Sequence, residues 1–596
     1  MSGHDPRSVY AARLEERRGL VRRDRRRDLA ASLARLALAA SAAVIGWLAL
    51  TAGALSPWWL AAPLAGFLAV AVLHAGVVRS LALHLRACAW YERGIARLVG
   101  NWAGGSEAGE RFSGRAHPFA NDLDLFGEGS LFQLLCTART RAGEAALAGL
   151  LTTPAGADVA RARQESVAEL RDRLDLREDL AVLGEDLRAG VHPGLLAAWA
   201  GAPPLLPSGP ASRLVAFLAA ANVAALLGWG FAGLPRLWPL LSVAVSGALA
   251  LALRARVLRA LAASDEACRD LKLLALTLGR LESERFSCPQ LAALRQRLDT
   301  GGEPASRVIA RLARLVELVD SRRNQFFFPI ACLLLWGTQL AFAIERWRAR
   351  CGASVAGWLE AVGELEALCS LAGYSWEHPG DHVPEILDGG AVYAGEGLGH
   401  PLLPEARSVR NDVSLGERAR LLIVSGSNMS GKSTLLRTVG MNAILAMAGA
   451  PVRARRLRLA PFDLGATLRV QDSIQDGTSR FYAEITRLRQ ILAMAEGGRP
   501  VLFLLDEILH GTNSHDRLIG AAAVVRSLLS HGAIGLITTH DLALARLSDQ
   551  LPAEVANVHF EDQIENGVMV FDYRMRPGVV TRSNALALMR AVGLEV

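Results

Sequence analysis

Lysine is nearly absent from this 596-residue chain: of its 65 basic residues, only Lys272 and Lys432 are lysines. A coding bias toward arginine accounts for the replacement, and it makes a retained lysine informative. Lys432 stands in a glycine-rich loop, where a compact, flexible ammonium is not readily replaced by a planar guanidinium. Cysteine is scarce and scattered. The seven (Cys88, Cys136, Cys268, Cys288, Cys332, Cys351 and Cys369) form no C-x-x-C pair, which argues against a disulfide framework or a thiolate metal site. Charged residues are also few, 21% against 51% hydrophobic, with a mean hydropathy of +0.25. A soluble chain of this size is usually more polar, so membrane segments have to be considered. No signal-peptide pattern is evident, because the first 28 residues are polar and Arg-rich. No internal repeat stands out. The length exceeds what one core holds and implies several domains. A net charge of +7 fits nucleic acid, anionic lipid or the positive-inside bias of a membrane protein, and selects none of them.

Residues 1–29 form a basic N-terminus, with Arg22, Arg23, Arg25, Arg26 and Arg27 nearly adjacent. It reads as a cytoplasmic anchor for the next helix, with a nucleic-acid arm as the alternative. Leu36–Leu55 is twenty residues without a charge, and Trp58–Val78 is interrupted only by His74. Ser56-Pro57 connects them, and Arg35, Arg79 and Arg86 flank the outer ends. The pattern predicts a transmembrane hairpin over 30–80 with both ends in the cytoplasm, against a buried soluble hairpin as the other reading. A linker helix is expected over 81–117. A second pair, Leu214–Leu234 (Asn222 its only strongly polar residue) and Leu237–Leu253, ends in Arg254 and Arg256. It predicts another hairpin at about 213–254, inserted in a helical domain over 118–380. Phe326–Ile344 is apolar but contains Pro329, Thr338 and Gln339, and reads as a buried or membrane-grazing helix. From about residue 381 short apolar strands alternate with Gly-rich turns and helices, the pattern of an α/β domain.

That last domain carries the chemistry. Leu421–Val424 reads as a buried strand and Thr434 to about Met447 as a helix. Between them Gly426-Ser427-Asn428-Met429-Ser430-Gly431-Lys432-Ser433 matches G-x-x-x-x-G-K-[ST]. Such a loop wraps phosphates with backbone N–H groups at a helix N-terminus. Residues 426–434, Thr434 included, are the candidate ATP-binding set. Lys432 is expected to reach the β- and γ-phosphates and Ser433 to ligate Mg²⁺. A second buried strand, Val501–Leu505, ends in Asp506-Glu507. Asp506 is expected to hold Mg²⁺, and Glu507 to act as general base on the attacking water. A third strand, Ala533–Thr539, ends at His540, placed to sense the γ-phosphate or align the water.

The loop through Arg437 resembles the MutS form of this motif, with Asn-Met between the glycines. Gly449, Pro451, Val452 and Ala454 continue that likeness. So do Asp506-Glu507-Ile508 with Gly511-Thr512 and Asp516, and Thr538-Thr539-His540. Gly477-x-Ser479-x-Phe481-x-x-Glu484 is similar to the loop that completes the partner subunit's nucleotide site in that family, with Arg480 where Thr is usual. Further upstream Asp124–Gly127, Gly129–Phe132, Thr140, Gly143, Leu150, Pro154, Arg163-Gln164 and Val167 resemble the start of the MutS core.

The resemblance implies a helical core and lever followed by a C-terminal P-loop ATPase of ABC type over 381–596. It implies ATP and Mg²⁺ as cofactors and a homodimer formed through the ATPase domains, with Ser479 acting in trans. The resemblance implies a role in DNA mismatch repair or a related DNA transaction, while the family's mismatch-reading domain and nuclease tail find no counterpart, which puts mismatch-specific binding in doubt. Three functions remain in view. The first is a membrane-anchored ATPase in the inner or cytoplasmic membrane, switching a dimeric DNA clamp from the cytoplasmic side. The second is the same engine acting on a protein or lipid partner. The third is a transporter, disfavoured because the spans lack charge. A fifth span would place the ATPase outside the cell, away from ATP.

Overall fold

Alanine and leucine dominate the first two thirds of the chain, and both favour helix. The structure, a computed structural model, describes residues 5–51, 55–105, 107–114, 117–190, 192–206, 209–320, 327–427, 429–469, 480–509, 513–540, 542–565 and 568–580. Helix α1 (Pro6–Leu50, 45 residues) starts where the Asp5 carboxylate accepts the Arg7 and Ser8 amides, with Pro6 in the first turn. It runs unbroken through the 29/30 boundary, so the basic segment is the first half of this helix. Helix α2 (Ala61–Leu98) packs back along it and likewise continues through residue 80. The second pair is α3 (Pro210–Phe231) and α4 (Leu237–Glu282). Among the described residues, four helical stretches are long and apolar enough to cross a membrane by length and composition, and no more than 17% of any apolar window is buried.

Two polar residues within the hairpins, His74 and Asn222, are paired. His74 Nε2 lies 2.7 Å from Asp28 Oδ1, and Arg35 donates to His74 Nδ1 at 3.1 Å. The imidazole thus links the Asp28 carboxylate and the Arg35 guanidinium. Arg35, expected at the flank, therefore turns inward, over the Phe67 ring. Asn222 is equally occupied. Its amide donates to Leu333 O at 2.9 Å, and its oxygen accepts from Ser242 and Ser246.

Leu333 stands at a break. The stretch expected as one helix over 326–344 divides into Phe328–Leu333 and helix α5 (Trp336–Glu377, 42 residues). Leu335 has φ +49° between them, and Gln339 Nε2 satisfies Leu334 O at 2.7 Å. Phe326 lies outside the described residues.

Helix α5 is the spine of the helical region, about 63 Å long. Arg141–Thr152, Ala157–Arg171, Pro193–Gly201 and Ala305–Asp320 pack along it. A Cβ on Gly363 would come within 2.8 Å of the Ala142 carbonyl, so only glycine permits that close crossing. At its C-terminal end Trp376 joins Tyr10, Trp90 and Tyr91 in an aromatic cluster. There Glu377 accepts from the Tyr10 hydroxyl (3.0 Å) and from Arg97 Nε (2.9 Å) and Nη2 (2.5 Å). Both ends of the first hairpin are thus fastened to the last turn of α5.

Beyond residue 380 the chain builds two sheets. In the larger, β1 (Leu421–Ser425) leads to α6 (Lys432–Ala448), β2 (Asp463–Thr467) to α7 (Arg480–Glu496), and β3 (Val501–Asp506) to α8 (Ser514–Ser530). Strands β4 (Ile534–Thr539), β5 (Val555–Glu565) and β6 (Val568–Pro577) follow. The order is β6-β5-β1-β4-β3-β2, parallel except for the β5–β6 pair. Alternate residues face opposite sides. Leu422, Val424, Leu502 and Leu504 pack toward Leu436 and Val439 of α6 and the helical core. Leu421, Ile423, Phe503 and Leu505 pack against Ile491 of α7 and Val525 of α8. Covering both faces explains why these strands are continuously apolar. The smaller sheet, of Glu385–Ile386, Arg456–Leu459, Tyr393–Leu398 and Asn411–Leu415 in that spatial order, lies beside it.

Candidate active site

Strand order brings the candidate residues together. β4 lies between β1 and β3, with Thr538 opposite both Val424 and Asp506, and Thr539 opposite Ser425. The carboxyl ends of the three strands therefore form one edge, where open α/β sheets place their ligands.

From β1 the chain enters the loop at Gly426 and leaves it at Gly431, whose φ of +102° makes it the left-handed cap of α6. Lys432 begins the helix. Its Nζ turns back to donate to Gly426 O (2.8 Å) and Ser427 O (2.9 Å), and it is 5% exposed. Ser430 Oγ donates to Ser427 O at 2.8 Å. Ser427 Oγ is buried without a hydrogen-bond partner. Met429 also lies at positive φ, and Thr434 faces the adjoining cleft. Asn428 lies outside the described residues.

At the end of β3, Asp506 accepts from two sides. Ser433 Oγ donates to Oδ2 at 2.6 Å, and Thr538 Oγ1 donates to Oδ1. Thr538 Oγ1 in turn accepts the Glu507 amide at 3.0 Å. Glu507 (φ +45°) and Leu509 (φ +61°) both adopt left-handed backbone, a strained arrangement that surrounding contacts must hold. One such contact runs from the Leu509 amide to Glu484 Oε1, 2.5 Å. Glu507 Oε1 lies 3.4 Å from Lys432 Nζ and 3.3 Å from His540 Nδ1. Thus Lys432, Ser433, Asp506, Glu507 and His540, separated by up to 108 positions in sequence (540 − 432), share one edge.

This edge borders a cleft of about 830 Å³, whose opposite wall includes His400, Arg407, Phe560 and Tyr573. Its size is within the range of small-molecule sites. Burial and the nearby Arg437 and Arg453 push the His400 imidazole down to about 4, so it is neutral near pH 7. The Leu402 amide donates to its Nδ1. Asn411 Nδ2 donates to Tyr573 O (3.0 Å) and Asn411 Oδ1 accepts the Met575 amide (2.8 Å), tying β6 to the smaller sheet across the cleft.

A hydroxyl and a carboxylate are the hard oxygen donors that Mg²⁺ accepts, with water and phosphate oxygens completing its shell. Among the described residues no group of three or more His, Cys, Asp or Glu could hold a metal ion. A cation here therefore depends on Ser433, Asp506 and oxygens from the substrate. Sequence reasoning did not anticipate Thr538 as the link between Asp506 and Glu507, nor the far wall of the cleft. The adjacency of Thr538 to His540 was visible, but its contact with Asp506 depends on strand order. Ser479, Gly511 and Thr512 lie outside the described residues.

Residues 422–595 match the family model described as MutS domain V. The DNA mismatch repair protein MutS 2 of Halobacterium salinarum is 33% identical over 240 residues, covering 39% of this chain and 27% of that protein. The DNA mismatch repair protein MutS of Natronomonas pharaonis is 33% identical over 238 residues, with the same coverage of 39% and 27%. The Endonuclease MutS2 of Thermus thermophilus is 34% identical over 203 residues, covering 33% of this chain and 25% of that protein. The chain spans about a quarter of the length of these curated relatives.

Proposed function

The C-terminal part of this chain belongs to the MutS family, and on that premise we propose that the chain is a membrane-anchored ATPase whose nucleotide cycle switches a dimeric, DNA-binding assembly. The observation that carries the reading is the convergence of Lys432, Ser433, Asp506, Glu507 and His540 on one sheet edge beside the cleft.

In this reading residues 426–434 cradle the ATP phosphates. Lys432, now held by two loop carbonyls, exchanges them for phosphate oxygens. The unpartnered Ser427 hydroxyl is available to the same oxygens. Ser433 and Asp506 hold Mg²⁺, which when bound neutralises charge on the β- and γ-phosphates. Glu507 accepts the proton of the attacking water at its carboxylate. Thr538 positions Glu507 through its backbone amide, and His540 aligns the water or senses the γ-phosphate.

The names of the relatives supply DNA as the substrate class, and Arg-rich helix faces suit phosphate contact without sequence readout. Two copies are taken to pair through their C-terminal domains, with Ser479 reaching the partner's nucleotide. Membrane anchoring is supported by the four apolar stretches. It is supported further by exposed aromatic residues at both hairpin tips: Trp47, Trp58 and Trp59 on one, Trp229, Phe231 and Trp238 on the other.

A second reading keeps the ATPase and replaces DNA with a protein or lipid partner. The fastening of Tyr10 and Arg97 to Glu377 favours it, because motion of the C-terminal part reaches the membrane hairpin through that turn. The test is ATPase rate and DNA binding on detergent-purified protein with matched, mismatched and branched duplexes at two salt concentrations. Binding that weakens with salt, and a rate that responds to DNA, support the first reading. A steady ATPase rate without DNA binding supports the second. No ATP hydrolysis in any condition overturns both.

A further inference from the structure

In the membrane-anchored reading, fluid lipid covers the exposed apolar hairpin surface. One region differs. α3, α4 and the broken segment at 327–338 enclose a groove of about 750 Å³. One wall is a single face of α4, where Val243, Gly247, Ala250, Arg254 and Leu258 recur at helical spacing. From Val243 to Arg254 that face runs about 16 Å, close to the roughly 15 Å of hydrocarbon in one leaflet. The facing wall includes Phe328, Leu335 and Trp336.

The floor contains Asn222, 1% exposed, whose amide and carbonyl are both occupied by Leu333, Ser242 and Ser246. Buried and engaged in this way, it presents almost no polar surface to the groove, which suits a hydrocarbon chain. At one end stands Arg254, with Arg256 near it. Both are exposed, and neither makes a hydrogen bond or ion pair among the described residues. An apolar groove that ends at uncompensated guanidinium groups matches an amphiphile with an acyl chain and an anionic head.

We propose that this groove binds one anionic glycerophospholipid, its acyl chain along α4 and its phosphate against Arg254. The proposal rests on the membrane anchoring described above. Binding there would fix the break at Leu335, and with it the start of α5, in a lipid-dependent way.

The test is native mass spectrometry of the full chain released from bilayers of equimolar phosphatidylglycerol and phosphatidylcholine. The expected result is one retained phosphatidylglycerol per protomer. Arg254→Ala is expected to lower that preference about fivefold, the worth of roughly one basic residue at a lipid surface. A Cβ on Gly247 meets nothing within 4 Å, so the backbone admits a side chain there; Gly247→Leu is expected to obstruct the groove and abolish retention, with circular dichroism checking the fold. Equal retention in wild type and Gly247→Leu, or no preference between the two lipids, overturns the proposal while leaving the anchoring intact. Recovery of the chain in the soluble fraction without detergent overturns the anchoring, and the lipid site with it.

Discussion

Ser433 Oγ donates to Asp506 Oδ2 across 2.6 Å, joining a helix N-terminus to a strand end 73 positions away. Each group is the other's partner, so a cation bound between them must part them. Asp506→Asn keeps the shape and removes the charge. The expected outcome is loss of Mg²⁺-dependent binding of a fluorescent ATP analogue, by at least about tenfold, with Mg²⁺-free binding little changed. Equal Mg²⁺ dependence in the variant removes Asp506 from the cation site.

Glu507→Gln retains the left-handed turn and its amide contact to Thr538 but cannot accept a proton. ATP binding is expected to persist while the hydrolysis rate falls by about 10²–10⁴-fold. Single-turnover kinetics separate the two, and near-normal turnover would falsify the role of Glu507 as base.

Lys432→Ala leaves Gly426 O and Ser427 O without their donor and removes the cation from the phosphate loop. Loss of a charged hydrogen bond, about 1.5–3 kcal/mol, corresponds to an affinity drop of roughly 10–100-fold. Titration of the same ATP analogue checks it, and unchanged affinity sinks the assignment of the loop.

Glu366, buried on α5, accepts from the Arg139 and Thr140 amides and the Thr140 hydroxyl. Burial nevertheless pushes its carboxyl from 4.5 up to about 7. Below pH 4.5 the folded and unfolded chains both carry the proton. Between 4.5 and 7 the unfolded chain releases a proton that the folded chain keeps, so this contribution to stability is lost as pH rises through about 7. The full loss is about 3 kcal/mol. His400 has the opposite sign. Its folded value near 4 means that its contribution is present above the unfolded value of 6.5 and is lost as pH falls toward 4. Thermal unfolding of Glu366→Gln against wild type is expected to show the variant relatively more stable at pH 8 than at pH 5. A difference that does not vary with pH contradicts the assignment.

Arg97 and Glu377 form a buried, doubly hydrogen-bonded pair that also receives the Tyr10 hydroxyl. Burial alone would raise the carboxyl, but Arg97 holds Glu377 below the usual glutamate range. Glu377→Ala leaves the guanidinium unpaired and is expected to cost about 3–5 kcal/mol. Because the pair fastens the first hairpin to α5, limited proteolysis should then cut the connection at 99–117 faster. Unchanged cleavage would show that the hairpin is held by other contacts.

Much of the framework of the candidate site was legible in the sequence because its signals are local. The strand, glycine loop and helix from Leu421 to Met447 depend on neighbours a few residues apart, and the structure bounds them at Leu421–Ser425 and Lys432–Ala448. Asp506-Glu507 closes an apolar run, and the four apolar stretches follow from composition and length. Tertiary structure decided the rest. Thr538 bridges Asp506 and Glu507 only because β4 inserts between β1 and β3, an order that strand patterns do not encode. His400 and Tyr573 come together on one wall of the cleft from positions 173 apart (573 − 400). Asn222, conspicuous in an apolar run, gained its meaning from the free carbonyl of Leu333, 111 residues away. Tyr10 was one residue of a basic segment until α1 carried it to Glu377, 367 positions distant. Periodicity and motif spacing report what a residue does with its own helix or strand; which distant backbone group or charge it must satisfy depends on how the elements pack.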